Sequence, residues 1–460
     1  MDITPAKKSV FSELSEILKL SLPIIITMTS QTVMQVVDAL MLGNHSASEL
    51  AAIGPAGLTY WTIGACVVGL MSCNSTFVAQ SVGRGDPHGG ARYTIHAFLL
   101  ALCVQAIAVP LAAHARTIFQ LYQHGAEIQA LEAAYFRPVI LRLGGMGLVV
   151  ALASFFQATG RSRIPMYTGI AANVANFVGD YLLIFGKGGF PEWGIFGAGF
   201  MTMLATYLEA AMLLVIFLSA RNHREYGTRA WAPFEWRKVV QFLRIGIGSA
   251  VTNGLDLASW TIFISIVVGR LGQNVLAGNN AAGQLMHFSF MPAFGLGIGV
   301  TALVGRHIGM GDIPGAKRRA YVSMVLAGVY MTVAGIIFVV FRESLIGLFL
   351  SGATASADQR ETLQAGGTIL IYVALFQFAD GIGILSAGAL KGAGDTRFAA
   401  LAQIVLAWFV FLPAVFYLGR PEVLGIHGAW LAATGYIWIY DAVLFWRFRS
   451  ERWKKIDIFA

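Results

Sequence analysis

The chain has 460 residues, of which 57% are hydrophobic and 12% charged, against about 25% charged in a soluble protein. Its mean hydropathy of +0.67, with apolar runs of about 20 residues or more, excludes an ordinary water-soluble enzyme and points to a polytopic membrane protein. Six of the 13 prolines and most of the 52 glycines sit inside those runs, which helix bundles in lipid tolerate and short alternating barrel strands do not, so the bundle is expected to be all-α. A net charge of +8 would suggest nucleic acid in a soluble protein. Here the basic residues cluster between the apolar runs and report topology instead.

Taken in chain order, twelve apolar runs are long enough to span, at 18–42, 54–80, 93–113, 131–157, 166–186, 195–219, 240–269, 277–305, 318–341, 364–390, 398–418 and 425–447. The polar first 19 residues lead into the first run with no cleavage site, so that run is read as a retained helix. Of the 32 Lys and Arg residues, 24 fall on the side of the termini, beginning with Lys7, Lys8 and Lys19 and ending with Lys454 and Lys455. Six lie opposite, and Arg137 and Arg142 fall inside the fourth run. The positive-inside rule then makes both termini cytoplasmic. Cys66, Cys73 and Cys103 lie in apolar stretches without metal or redox spacing, and are expected to be buried, reduced thiols.

The longest connection on the basic side, 220–239, is the natural linker between an amino-terminal lobe at 1–219 and a carboxy-terminal lobe at 240–460. Internal repeats agree with that division. Val78-Ala-Gln-Ser-Val-Gly83-Arg-Gly85-Asp86 matches Val304-Gly-Arg-His-Ile-Gly309-Met-Gly311-Asp312 at an offset of 226. Gly160-Arg-Ser-Arg163 matches Gly394-Asp-Thr-Arg397 at 234, and Gly194-Ile-Phe-Gly-Ala198 matches Gly425-Ile-His-Gly-Ala429 at 231. Repeats of six spans share one orientation, an arrangement that lets two lobes rock around a cleft.

Motifs from soluble proteins have bland explanations here. Gly295-x-Gly297-x-Gly299 lies within a span with no strand before it, and reads as close helix packing. No phosphate-loop ending is present, so a self-contained ATP-driven pump is not expected. Gly83-Arg-Gly-Asp86 reads as a tight turn between helices.

Carboxylates inside the spans carry the functional information, because each costs about 2.5–3.5 kcal/mol at mid-bilayer and usually faces a pathway. Asp38 shares a helix face with Gln31 and Gln35, below Pro23. Asn176 lies one turn before Asp180, and Thr202 could approach both if their helices are adjacent. This oxygen set suits sodium or a proton. Asp256 follows Thr252 and Asn253, and Asp380 follows Gln377, so each heads a polar patch in an apolar helix. Glu209 is expected near the interface, and His96, His287, Arg137 and Arg142 to pack or snorkel. Gln31, Gln35, Trp260, Gln284, Met286 and Phe288 are candidate substrate-lining residues, and Phe263, Phe290 and Met291 could extend an apolar surface for flat lipophilic cations.

Pro23, Val36-Val-Asp38-Ala-Leu-Met-Leu-Gly43, the two glycine turns, Asp180-Tyr-Leu-Leu-Ile-Phe-Gly-Lys187 through Pro191-Glu-Trp-Gly-Ile-Phe-Gly-Ala198, and Ala389-Leu-Lys-Gly-Ala-Gly-Asp-Thr-Arg397 together resemble the multidrug and toxic compound extrusion (MATE) family across the whole chain. The likeness is greatest to its bacterial NorM-type branch. The resemblance implies twelve helices in two lobes, no catalysis and no cofactor, and a monomer in the bacterial cytoplasmic membrane. It also implies export of cationic drugs, dyes and fluoroquinolones in exchange for sodium or protons. Asp38, Asn176, Asp180 and Thr202 would form an amino-terminal cation site, and Asp256 and Asp380 an acidic site in the other lobe. Two departures concern that second site: Asp256 stands where a glutamate is common, and Phe376 where some sodium-coupled members carry a tyrosine.

The alternative from the same superfamily is a lipid-linked precursor flippase, whose relatives usually have more spans and arginines in the cleft. An intramembrane enzyme is disfavoured because neither His-Glu-x-x-His nor Gly-x-Ser-x-Gly occurs. A passive channel would be excluded by gradient-dependent efflux.

Overall fold

The computed structural model describes residues 10–122, 124–230, 234–349 and 357–460. Lys7 and Lys8 of the charge census, and 231–233 of the expected linker, lie outside these residues. Among the described residues there is no strand. Twelve helical rods follow one another: α1 (Val10–His45), α2 (Ala47–Gly83), α3 (Pro87–Ala113), α4 (Ala126–Ala158), α5 (Arg163–Ile184), α6 (Gly194–Phe217), α7 (Trp236–Leu271), α8 (Gln273–Gly309), α9 (Ile313–Val340), α10 (Ala357–Gly392), α11 (Thr396–Leu418) and α12 (Gly425–Arg449).

Each expected apolar run falls on one rod. Several rods start earlier than their run because the first turn is polar: Glu13, Glu49 and Asp358 occupy helix beginnings, where the exposed N–H groups favour negative charge. Ten rods are long and apolar enough to cross a bilayer. The two that fall short, α5 and α12, carry Asn173, Asn176 and Asp180 in one case and Asp441 in the other, and these polar side chains lower their mean hydropathy.

The described chain packs as two compact units, an amino-terminal one of Ile26–Gly254 with Ile458–Ala460, and a carboxy-terminal one of Leu255–Asp457 with the residues up to Ile25. The divisions by packing thus fall inside α1, just after Pro23, and inside α7, whereas the repeats divide the chain at 220–239.

Close backbone approach holds each unit together. In the carboxy-terminal unit, a Cβ on Gly299 would lie 2.2 Å from Ser21 Oγ and one on Gly295 2.5 Å from Ile25 Cγ1, so the mid-span glycines are packing positions. In the amino-terminal unit, a Cβ on Gly69 would lie 2.4 Å from the Ser249 carbonyl oxygen. The Arg-Gly-Asp string is a turn: Gly85 has φ +79° and its repeat partner Gly311 φ +74°. Asp86 Oδ1 then accepts from Gly89 N at 2.8 Å, and Asp312 Oδ1 from Gly315 N at 2.9 Å, capping α3 and α9.

The segment after α6 folds into a short helix, Ala220–Tyr226, tied to the turn before α5 by Arg161, which pairs with Glu225 and donates to Asn222 Oδ1. His96 Nε2 accepts from Glu235 N at 3.0 Å. Cys73 is buried and Cys66 half-buried. Cys103 is exposed, against expectation, because its face of α3 is one that lipid rather than protein would cover.

Burial raises the Asp312 carboxyl, but the Gly315 N–H and His307 outweigh it and hold the group below its ordinary value. A carboxyl held low in the native state adds stability above its unfolded value, near pH 4, and that stability is lost as pH falls through the native value. Asp312→Ala is therefore expected to cost about 1 kcal/mol at neutral pH and less below about pH 4. Thermal unfolding of the purified protein in detergent, run against pH, checks this.

Candidate functional site

In the amino-terminal unit, α1 and α5 bring two acids together. Asp180 is fully buried and Asp38 nearly so. Asn176 Nδ2, one turn earlier on α5, donates to Asp180 Oδ2 at 2.6 Å. The two carboxyls are within hydrogen-bonding reach of each other, and Oδ1 of each has no partner. Acids this close hold one proton between them or a cation across them. α6 packs on α5, where a Cβ on Gly179 would lie 2.1 Å from Met201 Cε. Thr202 donates its hydroxyl to Ala198 O of its own helix at 2.8 Å, which leaves only oxygen lone pairs to offer. Of the α1 stripe, Asp38 is buried while Gln31 and Gln35 are exposed.

Arg142, which the sequence reading set aside, joins this cluster. The Arg142 guanidinium stands over the Tyr60 ring at 4.9 Å, its Nε has no partner, and its charge acts on Asp38 and Glu209. Glu209 is 8% exposed, because α6 packs on α5 where Gly169 leaves room for its Oε1. The signal for Arg142 was present, since it stands deeper inside its apolar run than any other of the 32 basic residues.

In the carboxy-terminal unit, α7, α10, α11 and α12 surround a second cluster. Gln403 Nε2 donates to Asp256 Oδ1 at 3.0 Å and to the Tyr436 hydroxyl at 2.9 Å. The Trp260 side chain also bonds Asp256, and the charge of Asp256 acts on Asp380. Gln377, one turn before Asp380, is buried; its Nε2 donates to Ser289 Oγ at 3.0 Å and its Oε1 has no partner. Thr252 bonds back to Gly248 O and Asn253 is exposed, so neither joins. Phe376 is packed in the core, and the phenol hydroxyl in this cluster comes instead from Tyr436 of α12.

Both helices that carry the Asp256 contacts change winding beside them. α7 continues past Trp260 as a π-helix at Phe263–Val268, and α11 becomes one at Ile404–Phe411, directly after Gln403. Such wide turns are frequent at functional sites. Sequence reading missed Asp441 of α12, which is buried in this unit with Oδ2 unpartnered. Its signal was an aspartate within the twelfth apolar run.

Trp260, Phe263, Met286 and Phe290 gather on one core cluster, with the Trp260 and Phe263 ring centroids 5.6 Å apart. Phe263 and Met291 are buried in the core, Trp260, Met286 and Phe290 are half-buried against it, and Gln284, His287 and Phe288 are exposed. Trp260 packs with Phe411, and Phe263 with Trp430, each pair with ring centroids 5.5 Å apart. Among the described residues no three His, Cys, Asp or Glu side chains gather closely enough to hold a metal ion. A sodium ion at either cluster would complete its shell with amide, hydroxyl or water oxygens.

Gln403→Leu removes the amide that joins Asp256 to Tyr436 and leaves a buried acceptor short of a donor. The expected cost is about 1–3 kcal/mol, read as a lower unfolding midpoint in detergent.

Known proteins share this architecture. Residues 23–182 and 251–416 match the MatE family model. The probable multidrug resistance protein NorM of Thermotoga maritima is 25% identical over 445 residues, covering 96% of this chain and 93% of that protein. The multidrug resistance protein PmpM of Pseudomonas aeruginosa is 28% identical over 431 residues, covering 91% and 87%. Among solved structures, a MOP superfamily transporter from Pyrococcus furiosus superposes with TM-score 0.84 at 18% identity, over 95% of this chain and 96% of that one. An outward-facing multidrug resistance MATE family transporter superposes with TM-score 0.86, also at 18% identity and over the same shares. With its all-helical fold, its many apolar spans and a family model matched in both halves, the chain belongs to the MatE family of multi-pass membrane transporters.

Proposed function

We propose that the chain is a secondary active efflux antiporter, exporting lipophilic organic cations such as ethidium, and fluoroquinolones, in exchange for inward sodium ions or protons. The observation that carries this reading is the pair of buried acid clusters, one in each unit, with unpartnered buried oxygens on Asp38 and Asp180 in one and on the Gln377 amide in the other. The names of the relatives as multidrug resistance proteins support the substrate class. The excess of basic residues on one side of the spans supports a bacterial cytoplasmic membrane protein with both termini cytoplasmic, and nothing in the fold calls for more than a monomer.

Coupling on this reading is competition for negative charge. A sodium ion or proton arriving from outside neutralises the carboxylates at Asp38 and Asp180, and at Asp256 and Asp380, and so releases a cationic drug held by them and by nearby aromatic rings. Rocking of the two lobes exposes the sites alternately to either face. Exchange requires that drug and coupling ion differ in their affinity for the two states. The acid character of both clusters argues against the flippase alternative, in which arginines would meet phosphates.

Ethidium or norfloxacin efflux from proteoliposomes, under a sodium gradient alone and then a proton gradient alone, tests this. Drive by sodium supports ligation by the oxygens around Asp38 and Asp180; drive by protons makes the same groups titrating acids. Transport under neither gradient would refute the proposal. Asp38→Asn and Asp380→Asn are each expected to abolish transport while leaving expression intact, and wild-type rates in the double variant would equally refute it.

A further inference from the structure

The exchange set out above makes no use of Asp441. It lies in α12, is 5% exposed, and its Oδ2 has no hydrogen-bond partner. A Cβ on Gly383 of α10 would lie 1.8 Å from Asp441 Oδ1, so the carboxyl occupies space that only glycine leaves open. Gly383 stands about one helical turn beyond Asp380. The charges that act on Asp441 are those of Asp380 on α10 and Asp256 on α7. On its own helix the phenols of Tyr436 and Tyr440 face the same acids, and α11 contributes the Gln403 amide. The nearest basic residue further along α12, Arg447, is held by Asp395 at 2.7 Å.

Three carboxyls in one apolar bundle, with no basic group among the described residues acting on them, cannot all be ionised together, so at least one must hold a proton or share a bound cation. The amino-terminal cluster differs, because Arg142 supplies a fixed positive charge there. We propose that Asp441 is a third cation-binding carboxyl of the carboxy-terminal cluster and takes up a monovalent cation, proton or sodium, beyond those exchanged at Asp256 and Asp380. This rests on the antiport reading. The other half carries a similar acid: at the 231-residue offset of α6 and α12, Asp441 falls one position from Glu209, whose Oε1 likewise faces a glycine, Gly169.

The test measures binding of tetraphenylphosphonium to the purified full-length protein in detergent, against pH without sodium and against sodium at fixed pH. The slope of log affinity on pH, or on log sodium, counts the cations displaced and shows which of the two is bound. Asp441→Asn is expected to lower one of these slopes by about one. Gly383→Ala, which keeps every acid but places a methyl where the carboxyl lies, is expected to lower it likewise. Unchanged slopes in both variants, with helical content and elution profile intact, would overturn the proposal; should Asp441→Asn fail to fold, Gly383→Ala decides alone. If Asp38→Asn and Asp380→Asn also leave the slopes unchanged, the antiport reading itself fails. If they alter them while the Asp441 and Gly383 variants do not, only the third position is lost.

Discussion

Negative charge buried in an apolar bundle is the constraint on which the rest of this structure depends. Water is absent from most of a spanning helix, so every ionised carboxyl must find a donor, a cation or a proton nearby. Asp38 and Asp180 meet that demand with the Asn176 amide, with each other and with Arg142. Asp256 meets it with Gln403 and the Trp260 side chain. Each arrangement leaves at least one buried oxygen free in its cluster, and a site that satisfied every oxygen internally would have no use for a passing cation.

The two units meet this constraint differently although their sequences repeat. Arg142 sits in the middle of α4 as a permanent counter-charge, whereas the carboxy-terminal cluster has amides and phenols but no basic group among the described residues acting on its acids. α7 and α11 wind as π-helices next to their contacts with Asp256, while α1 and α5 run as α-helices. Repetition preserved the turn geometry, down to left-handed glycines at Gly160 and Gly394 and at Gly194 and Gly425, and left the polar interior free to diverge.

What could be read in the sequence followed from chemistry that acts along the chain. Apolar runs are local, so the twelve rods were legible, although α1, α2 and α10 begin seven or eight residues ahead of their runs, and so were the glycine turns, because positive φ and an aspartate cap need only neighbours. Asp38, Asn176, Asp180, Asp256 and Asp380 were legible as acids and amides where hydropathy forbids them. What escaped depends on which helices meet. Arg142 reads as a snorkelling residue until α2 places Tyr60 beneath it. Rings at helical spacing serve core and surface alike, so the chain by itself does not sort the aromatic residues between them. Asp441 was legible by the same rule as its fellows, as an aspartate within the twelfth apolar run.

The fit between Gly383 and Asp441 also restricts the order in which this protein can change. A side chain at 383 is incompatible with a carboxyl at 441, whereas a shorter residue at 441 makes room for one at 383. Substitutions at the two positions are therefore not independent, and a lineage that loses the acid first can fill the glycine afterwards. The reverse route passes through an overpacked intermediate. Descendants that regain an acid on α12 must first recover the glycine on α10, which makes the loss of that charge a step that evolution retraces with difficulty.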